Sequence, residues 1–118
     1  MSAREGEIKA LELAQLARQA AEEKKAINVR LLNVSGFSEL ADYVLVMSGA
    51  TAPQLKAIFR EIDSRIKGAG VVCRHKSGDS ECGWIVMDYM DVIIHIFHPR
   101  TRQYYAIEEL WAKASAIP

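Results

Sequence analysis

The chain has 118 residues with fifteen Lys/Arg and fifteen Asp/Glu, so its formal net charge is zero, and half of its residues are apolar. This composition suits one soluble globular domain and argues against nucleic-acid binding driven by bulk charge, although a local basic patch stays open. The sequence shows no signal-peptide core and no apolar run of transmembrane length, so we expect a cytoplasmic protein that needs no membrane. Cys73 and Cys82 form no C-x-x-C pair, which favours two free thiols in a reducing cytoplasm and leaves a bridge between them as the alternative.

The N-terminal part of the sequence predicts a helix and then a strand. Apolar residues recur at helical spacing from about Glu5 to Lys25. The apolar stripe consists of Ala10, Leu13, Leu16, Ala17 and Ala20. Ile8 and Leu11 project onto the polar side, where they are either exposed to solvent or in contact with a partner. The strand is expected over Ile27–Val34.

A buried strand and a second helix are predicted in the middle of the chain. The polar segment before this strand has Phe37 and Leu40 as apolar anchors, and the apolar run Tyr43–Met47 is typical of a central strand. Thr51 is a suitable N-cap, and Gln54 follows three residues later in a capping-box pattern. The apolar face of the second helix consists of Leu55, Ile58, Phe59, Ile62 and Ile66.

The region after the second helix is expected to contain one short strand and one loop. Gly68 and Gly70 should end the helix, and Val71–Arg74 then predicts a strand. We expect this strand to lie parallel to Tyr43–Met47 through a right-handed crossover. The polar stretch His75–Glu81 is expected to be a loop.

The stretch Cys82–Phe97 predicts an antiparallel hairpin of two apolar strands. A two-residue turn at Tyr89-Met90 would place Asp88 directly opposite Asp91, and it fixes the register of the whole hairpin. Opposed residues share a face of the sheet, and successive residues alternate between faces.

One face of this hairpin carries residues that a core does not need. In the expected register Trp84 lies opposite His95, on the same side as the two acids. The other face is plain core and consists of Ile85, Met87, Val92, Ile94 and Ile96. The first face is therefore a candidate binding surface.

The C-terminal part begins with a strand break at Pro99 and is expected to end in a short helix over Ile107–Ala114. The segment Arg100–Tyr105 between them is basic and aromatic, so it either binds RNA by stacking and phosphate contact or packs back on the domain. Together these elements predict a single α/β domain over residues 1–118, with a mixed sheet of about five strands and helices mainly on one face.

Enzymatic alternatives depend on few residues. Asp88 and Asp91 could hold Mg²⁺, and Ser48-Gly49 before a helix fits a phosphate-binding corner, which together is the layout of a nucleotidyltransferase. No basic residue stands near Ser48 to grip phosphate, and no His or Cys spacing matches a zinc site. We therefore expect no metal, no cofactor and no catalytic residue.

Several motifs resemble the ribosomal silencing factor, or Iojap-like, family. They are D-Y-V-L-V-M-S-G (Asp42–Gly49), G-W-I-V-M-D-Y-M-D-V-I-I-H-I-F (Gly83–Phe97), P-R-T-R-Q-Y-Y (Pro99–Tyr105) and I-E-E-L-W (Ile107–Trp111). The spaced block W-x-x-x-D-x-x-D-x-x-x-H-x-F within the second motif is the most specific of them. The resemblance runs over roughly residues 8 to 112.

This resemblance implies a nucleotidyltransferase-like fold without an established transferase activity. It also implies a factor that binds the large ribosomal subunit through its ribosomal protein fourteen and sterically prevents joining of the small subunit, which lowers translation when nutrients are short. The positions that carry the family pattern, and so the expected partner contacts, are Trp84, Asp88, Tyr89, Asp91, His95, Arg102 and Tyr105. A contact with ribosomal RNA and a homodimer of the free protein stay open.

The chain departs from the family pattern at three places. Met90 stands where a glycine is usual, so the expected turn would strain a side chain. Ala52-Pro53-Gln54 replaces Ser-Arg-His, which removes a basic residue from the phosphate corner. Ala106 stands where an acid commonly precedes the last helix, so that helix lacks a side-chain cap at this position.

Overall fold

The computed structural model describes residues 9–36, 38–112 and 114–118. Two predictions, the helical start from Glu5 with Ile8 on its polar side and the anchoring role of Phe37, lie outside these residues. The described elements are, in chain order, α1 (Ala10–Glu23), β1 (Ile27–Asn33), β2 (Tyr43–Ser48), α2 (Ala52–Gly68), β3 (His75–Asp79), β4 (Trp84–Asp88), β5 (Val92–Phe97), α3 (Pro99–Tyr105), a 3₁₀ helix (Ile107–Trp111) and β6 (Ser115–Ile117).

The strands form one mixed sheet in the order β3-β4-β5-β2-β1-β6. Only β2 and β5 run parallel, and the other neighbours are antiparallel. The predicted α/β class and mixed sheet are confirmed, but the sheet has six strands instead of about five. In the part of the chain that the structure describes, no helix is long and apolar enough to span a membrane.

Helices α1 and α2 cover one face of the sheet, as the two apolar stripes predict. Their small and branched side chains pack with inward residues of β2, β4 and β5 around one core. Thr51 caps α2 by accepting a hydrogen bond from the Gln54 amide at 3.2 Å. Gln54 reaches back to the Ala50 amide at 2.8 Å, and its own amide group binds the carbonyl of Lys25 at 2.9 Å, which joins the start of α2 to the end of α1.

The opposite face of the sheet is only partly open. Its end near Phe97 is covered by the C-terminal segment, where Ile107 and Trp111 pack on Val44 and Val46. The expectation that helices lie mainly on one face therefore holds for α1 and α2, whereas α3 and the 3₁₀ helix lie on the other side. The sequence shows no long helical stripe after Pro99, which is why this cover was not predicted.

The strand predicted at Val71–Arg74 is wrong, and so is its parallel crossover to β2. That stretch is irregular, and β3 forms at His75–Asp79, where a loop was expected. All five residues of β3 are exposed, because it is an edge strand held by backbone pairing with β4 and not by a buried side-chain face. The parallel neighbour of β2 is β5 instead.

The β4–β5 hairpin is confirmed, but its predicted register is wrong by two residues. Asp88 pairs with Ile93 and Trp84 pairs with Phe97, so Asp91 lies in the turn. The Asp88 carboxylate accepts the Met90 amide at 2.7 Å, and the Asp91 amide donates to the Tyr89 carbonyl at 3.0 Å, which makes a tight γ-turn at Met90 with φ +77°. A shift of two keeps every strand residue on its predicted face.

The C-terminal segment has more elements than the single helix predicted over Ile107–Ala114. His98 caps α3 through its Nδ1, which accepts the Arg100 amide at 3.1 Å, and Pro99 occupies the first turn. A left-handed residue, Ala106 with φ +45°, separates α3 from the 3₁₀ helix. Strand β6 then pairs with β1 and completes the sheet.

Candidate functional site

The candidate site is the sheet surface turned away from α1 and α2, which the C-terminal segment covers only in part. Strand register places alternate residues of β3, β4 and β5 on this surface, which we call the outer sheet face. Its members are His75, Ser77, Asp79, Trp84, Val86, Asp88, Ile93 and His95, next to the fully buried Phe97. Apart from His95, the members are half-buried or exposed, so the face combines a firm apolar floor with access from solvent.

Trp84 lies at the centre of an aromatic cluster at one end of the outer sheet face. Its ring lies 4.8 Å from Phe97 beneath it and 4.8 Å from Tyr105 of α3. Phe97 is fully buried, whereas Tyr105 is 53 % exposed. The indole is therefore held between a rigid floor and a movable neighbour, with part of its surface left for a partner.

His95 fixes the orientation of this indole. The Trp84 Nε1–H donates to His95 Nδ1 at 3.1 Å. Only 9 % of His95 is exposed, and burial lowers its pKa from 6.5 to about 4, so the ring is neutral at physiological pH. Because Nδ1 accepts, the proton of the neutral ring lies on Nε2. The sequence predicts these two residues on one face, and the structure brings them into contact.

The two predicted acids lie at the hairpin tip but play different local roles. Asp88 is half-buried at the end of β4, and one of its oxygens accepts the Met90 amide in the turn. The Asp91 side chain is exposed, while its backbone carbonyl accepts amides from Asp42 at 2.8 Å and Tyr43 at 3.1 Å. Asp91 is thus free to change its side-chain partner without disturbing the turn.

Tyr89, which the family pattern marks as a partner contact, lies on the other side of the sheet. It is 6 % exposed and belongs to the core under α2. Its hydroxyl donates to Asp63 Oδ1 at 3.2 Å, and burial raises its pKa. The structure therefore places Tyr89 under the hairpin as a support, away from the outer sheet face.

Arg102 is also a support, although it too carries the family pattern. It is 7 % exposed and donates to both carboxylate oxygens of Glu108 at 2.8 and 3.0 Å. Its remaining nitrogen reaches the Asn28 carbonyl at 2.9 Å and the Ser48 hydroxyl at 3.0 Å. The guanidinium holds the pKa of Glu108 below its usual value and ties α3 to the sheet, which positions Tyr105 over Trp84.

Two exposed apolar residues at the hairpin tip were not predicted as part of the site. Met90 is 53 % exposed, and Leu40, which was expected to anchor its segment, is 81 % exposed. The hydrogen bond from Asp42 to Asp91 brings the Leu40 segment beside the turn. The only sequence signal was a methionine where the family usually has glycine. Both side chains extend the apolar surface around Asp91.

At the corner proposed for phosphate, the Ser48 hydroxyl and two backbone amides are already bonded to the protein's own side chains. Ser48 is 3 % exposed, and the expectation that no basic residue stands near it is wrong, because its hydroxyl accepts a hydrogen bond from Arg102 at 3.0 Å. That guanidinium is already paired with Glu108. The Ala50 and Gln54 amides at the start of α2 are bound by Gln54 and Thr51 side chains. These two amides are therefore not free to donate to a phosphate. In the described part of the chain, no cluster of three His, Cys, Asp or Glu side chains could hold a metal.

Comparison with known proteins decides which family the chain belongs to. The family model described as ribosomal silencing factor during starvation matches residues 7–118. The chain belongs to the ribosomal silencing factor family. It is 36 % identical over 106 residues to ribosomal silencing factor RsfS of Halalkalibacterium halodurans, covering 90 % of this chain and 91 % of that protein. The corresponding protein of Bacillus subtilis is 35 % identical over 99 residues, which cover 84 % of each chain.

Solved structures agree with this assignment at the level of the fold. A crystal structure from Chromobacterium violaceum superposes with a TM-score of 0.86 at 30 % identity and covers 89 % of this chain and 88 % of that one. The family extends to plants, since the chloroplast Iojap protein of Zea mays is 30 % identical over 100 residues, with 84 % of this chain matched to 43 % of that longer protein. Membership in the ribosomal silencing factor family makes this chain a ribosome-associated regulator. The likeness to nucleotidyltransferases remains a prediction.

Proposed function

We propose that this protein represses translation by docking its outer sheet face on the large ribosomal subunit, at ribosomal protein fourteen, and so blocking joining of the small subunit. Family membership supports ribosome association. The observation that carries the docking surface is the half-buried Trp84, which is clamped by His95 and Phe97 and topped by Tyr105. Tryptophan is enriched among binding hot spots, and a rigidly packed, partly exposed indole can contribute a large apolar contact at little cost in conformational entropy.

The acids of the hairpin tip supply orientation. Ribosomal proteins are basic, and Asp88 and Asp91 flank the hairpin turn, in which Met90 is exposed. A Lys or Arg of the partner can pair with the free oxygen of Asp88 or with the exposed Asp91 carboxylate. Such rim charges mainly raise the association rate, while the aromatic centre contributes most of the affinity.

The repression needs no chemical step in this proposal. The domain adds a body of three helices and a six-stranded sheet to the surface where the two subunits meet, and its volume excludes the small subunit. The absence of enzymatic activity stays a prediction, as does localisation in the cytoplasm. A homodimer formed through the same face would compete with the ribosome.

The test is sedimentation of the purified protein with isolated large subunits, small subunits and joined ribosomes. We expect co-migration with large subunits only, and inhibition of subunit joining in a light-scattering assay. Trp84→Ala should weaken large-subunit binding by at least about 2 kcal/mol, as for a hot-spot residue. Tyr104→Ala is the matched control, because Tyr104 is 81 % exposed on α3 and its ring packs on Tyr105 but not on Trp84, His95 or Phe97.

Two outcomes would overturn the proposal. Equal binding of wild type and a folded Trp84→Ala variant would remove the outer sheet face as the docking surface. Binding to large subunits without any effect on subunit joining would remove the steric mechanism and leave only ribosome association.

A further inference from the structure

Charge is strongly segregated in this neutral chain. Residues 52–76 contain six Lys/Arg and two Asp/Glu, although the whole chain has fifteen of each. These residues comprise α2, which packs on the side of the sheet opposite the outer sheet face, the connection after it and the start of β3, where Lys76 is directed to the helix side and only His75 to the outer sheet face. The excess of positive charge is therefore concentrated on one surface, which a net charge of zero conceals.

Three of these basic residues form a stripe along the exposed side of α2. Lys56, Arg60 and Lys67 are separated by four and seven residues, so they lie within about 40° of one another around the helix and span about 16 Å. All three are exposed, while the residues facing the sheet are fully buried. Arg65, by contrast, faces α1 and is paired with Glu61 and Glu23.

A groove continues this stripe toward the edge strand. It has a volume of about 390 Å³ and lies between α2 and residues 72–76, with Arg74 and Lys76 on its outer wall. The register of β3 with Met87 directs Lys76 to the helix side, and its ammonium lies 5.1 Å from the centre of the Phe59 ring. The aromatic ring thus holds one cation at the rim of the groove.

Asp63, the acid that lines this groove, is already engaged. Asp63 accepts the Tyr89 hydroxyl at 3.2 Å and lies 3.5 Å from Lys67, whose side chain is still 62 % exposed. Among the described residues, no carboxylate lies within 4.0 Å of the other four cations: Lys56, Arg60, Arg74 and Lys76. Five cations along one stripe and its adjoining groove therefore face solvent without a matching set of acids.

We propose that this surface, the α2 basic face (Lys56, Arg60, Lys67, Arg74 and Lys76), binds the phosphate backbone of RNA. Lysine and arginine side chains spaced along a convex helix contact phosphates without reading sequence. The choice of RNA over an acidic protein rests on the proposed ribosome binding, because RNA is the polyanion that surrounds any ribosomal protein. The surface gives the factor a second contact, distinct from the outer sheet face.

The test measures binding of the isolated full chain to a fluorescent 20-nucleotide oligouridine by anisotropy between 20 and 200 mM salt. Neutralisation of five phosphates on a single strand predicts a slope of about −3.5 in a plot of log K against log salt. The variant Lys56→Gln/Arg60→Gln/Lys67→Gln should make the slope shallower by about 2 and weaken binding at least about tenfold at 20 mM salt. The matched control, Lys9→Gln/Lys24→Gln/Lys25→Gln, changes net charge equally on and next to α1.

Each result decides for or against the α2 basic face. Retained binding in the α2 variant, or an equal loss in the control, would overturn it, and so would equally tight binding of polyglutamate of the same length. Trp84→Ala should bind oligouridine like wild type. If the α2 variant loses oligouridine binding but the wild-type protein binds no large subunits, the proposed function is wrong. The α2 basic face would then still be supported as a site for a polyanion.

Discussion

At the scale of single residues, the pair Trp84–His95 shows why a histidine can belong to a binding surface without acting as an acid or a base. The ring accepts the indole N–H on Nδ1 and is too buried to take a proton at neutral pH. Protonation would convert that acceptor into a donor and break the hydrogen bond. The histidine therefore orients the tryptophan as long as it stays neutral.

This arrangement predicts an acid-sensitive stability. The folded-state pKa of His95 is about 4 and the unfolded value is 6.5, so between these values the unfolded chain binds more protons and stability falls as the pH falls. We expect a loss of about 2 kcal/mol between pH 7.5 and pH 5, measured by urea unfolding. The stability contributed by the ionised Glu108, whose pKa lies below its usual value, is lost only below this pH range.

The matched variant for this prediction is His95→Gln, whose side-chain oxygen can still accept the indole N–H but does not titrate. Its stability should change less between the same two pH values, and the difference between the two slopes isolates His95. Parallel slopes for wild type and variant would show that His95 is not responsible.

Residue patterns in the sequence identified positions better than they identified roles. Alternation and the expected hairpin pairing placed Trp84, Asp88, Asp91 and His95 on one face, and the structure confirms that placement for all but Asp91, which lies in the turn. Tyr89 and Arg102 carry the same family pattern, yet both are nearly buried. A recurring residue type reflects either contact with a partner or support of the residues that make it, and only burial and hydrogen bonds separate the two.

At the scale of elements, α2 could be predicted almost residue by residue, whereas β3 could not. Helix α2 buries a continuous apolar stripe and has an N-cap, and both signals are local. Strand β3 buries no side chain, so its sequence His-Lys-Ser-Gly-Asp has neither alternation nor β-branched residues. Its formation depends on the partner strand β4, which the residues of β3 do not specify.

The surroundings of Gly78 in β3 show how closely the backbones of β3 and β4 approach each other. Its φ is +76°, and a Cβ there would lie 2.0 Å from the Trp84 carbonyl oxygen. Gly78→Ala should therefore destabilise the fold by about 2 kcal/mol or more and displace Trp84, measured by urea unfolding and tryptophan fluorescence. Gly70→Ala is the matched control, because Gly70 also has a positive φ, +91°, but has open space around it, so it should cost only about 1 kcal/mol.

An equal cost at the two glycines would contradict the close approach of β3 to β4. The comparison is informative because both substitutions strain the backbone in the same way, and only Gly78 adds a collision with backbone atoms of the neighbouring strand.

At the scale of the whole molecule, the sheet separates two surfaces of different character. The outer sheet face presents aromatic side chains and is bordered by the acids of the hairpin tip, Asp88 and Asp91, whereas the α2 basic face presents five cations. The net charge of zero is the sum of these regions, which is why composition alone argues against nucleic-acid binding. A neutral protein of this kind can approach a basic protein with one side and a polyanion with the other.

The contribution of the hairpin-tip acids to ribosome binding can be tested by reversing one charge. Asp91→Lys should weaken binding to large subunits about tenfold at low salt and much less at high salt, because an exposed rim charge acts mainly through long-range attraction. Its melting temperature should stay close to that of wild type, since the turn uses only the backbone of Asp91. Asp88 is a poorer choice for reversal, because its carboxylate accepts the Met90 amide. Glu22→Lys on α1 makes the same change in net charge far from the hairpin tip, so an equal loss of affinity in that variant would mean that only overall charge matters.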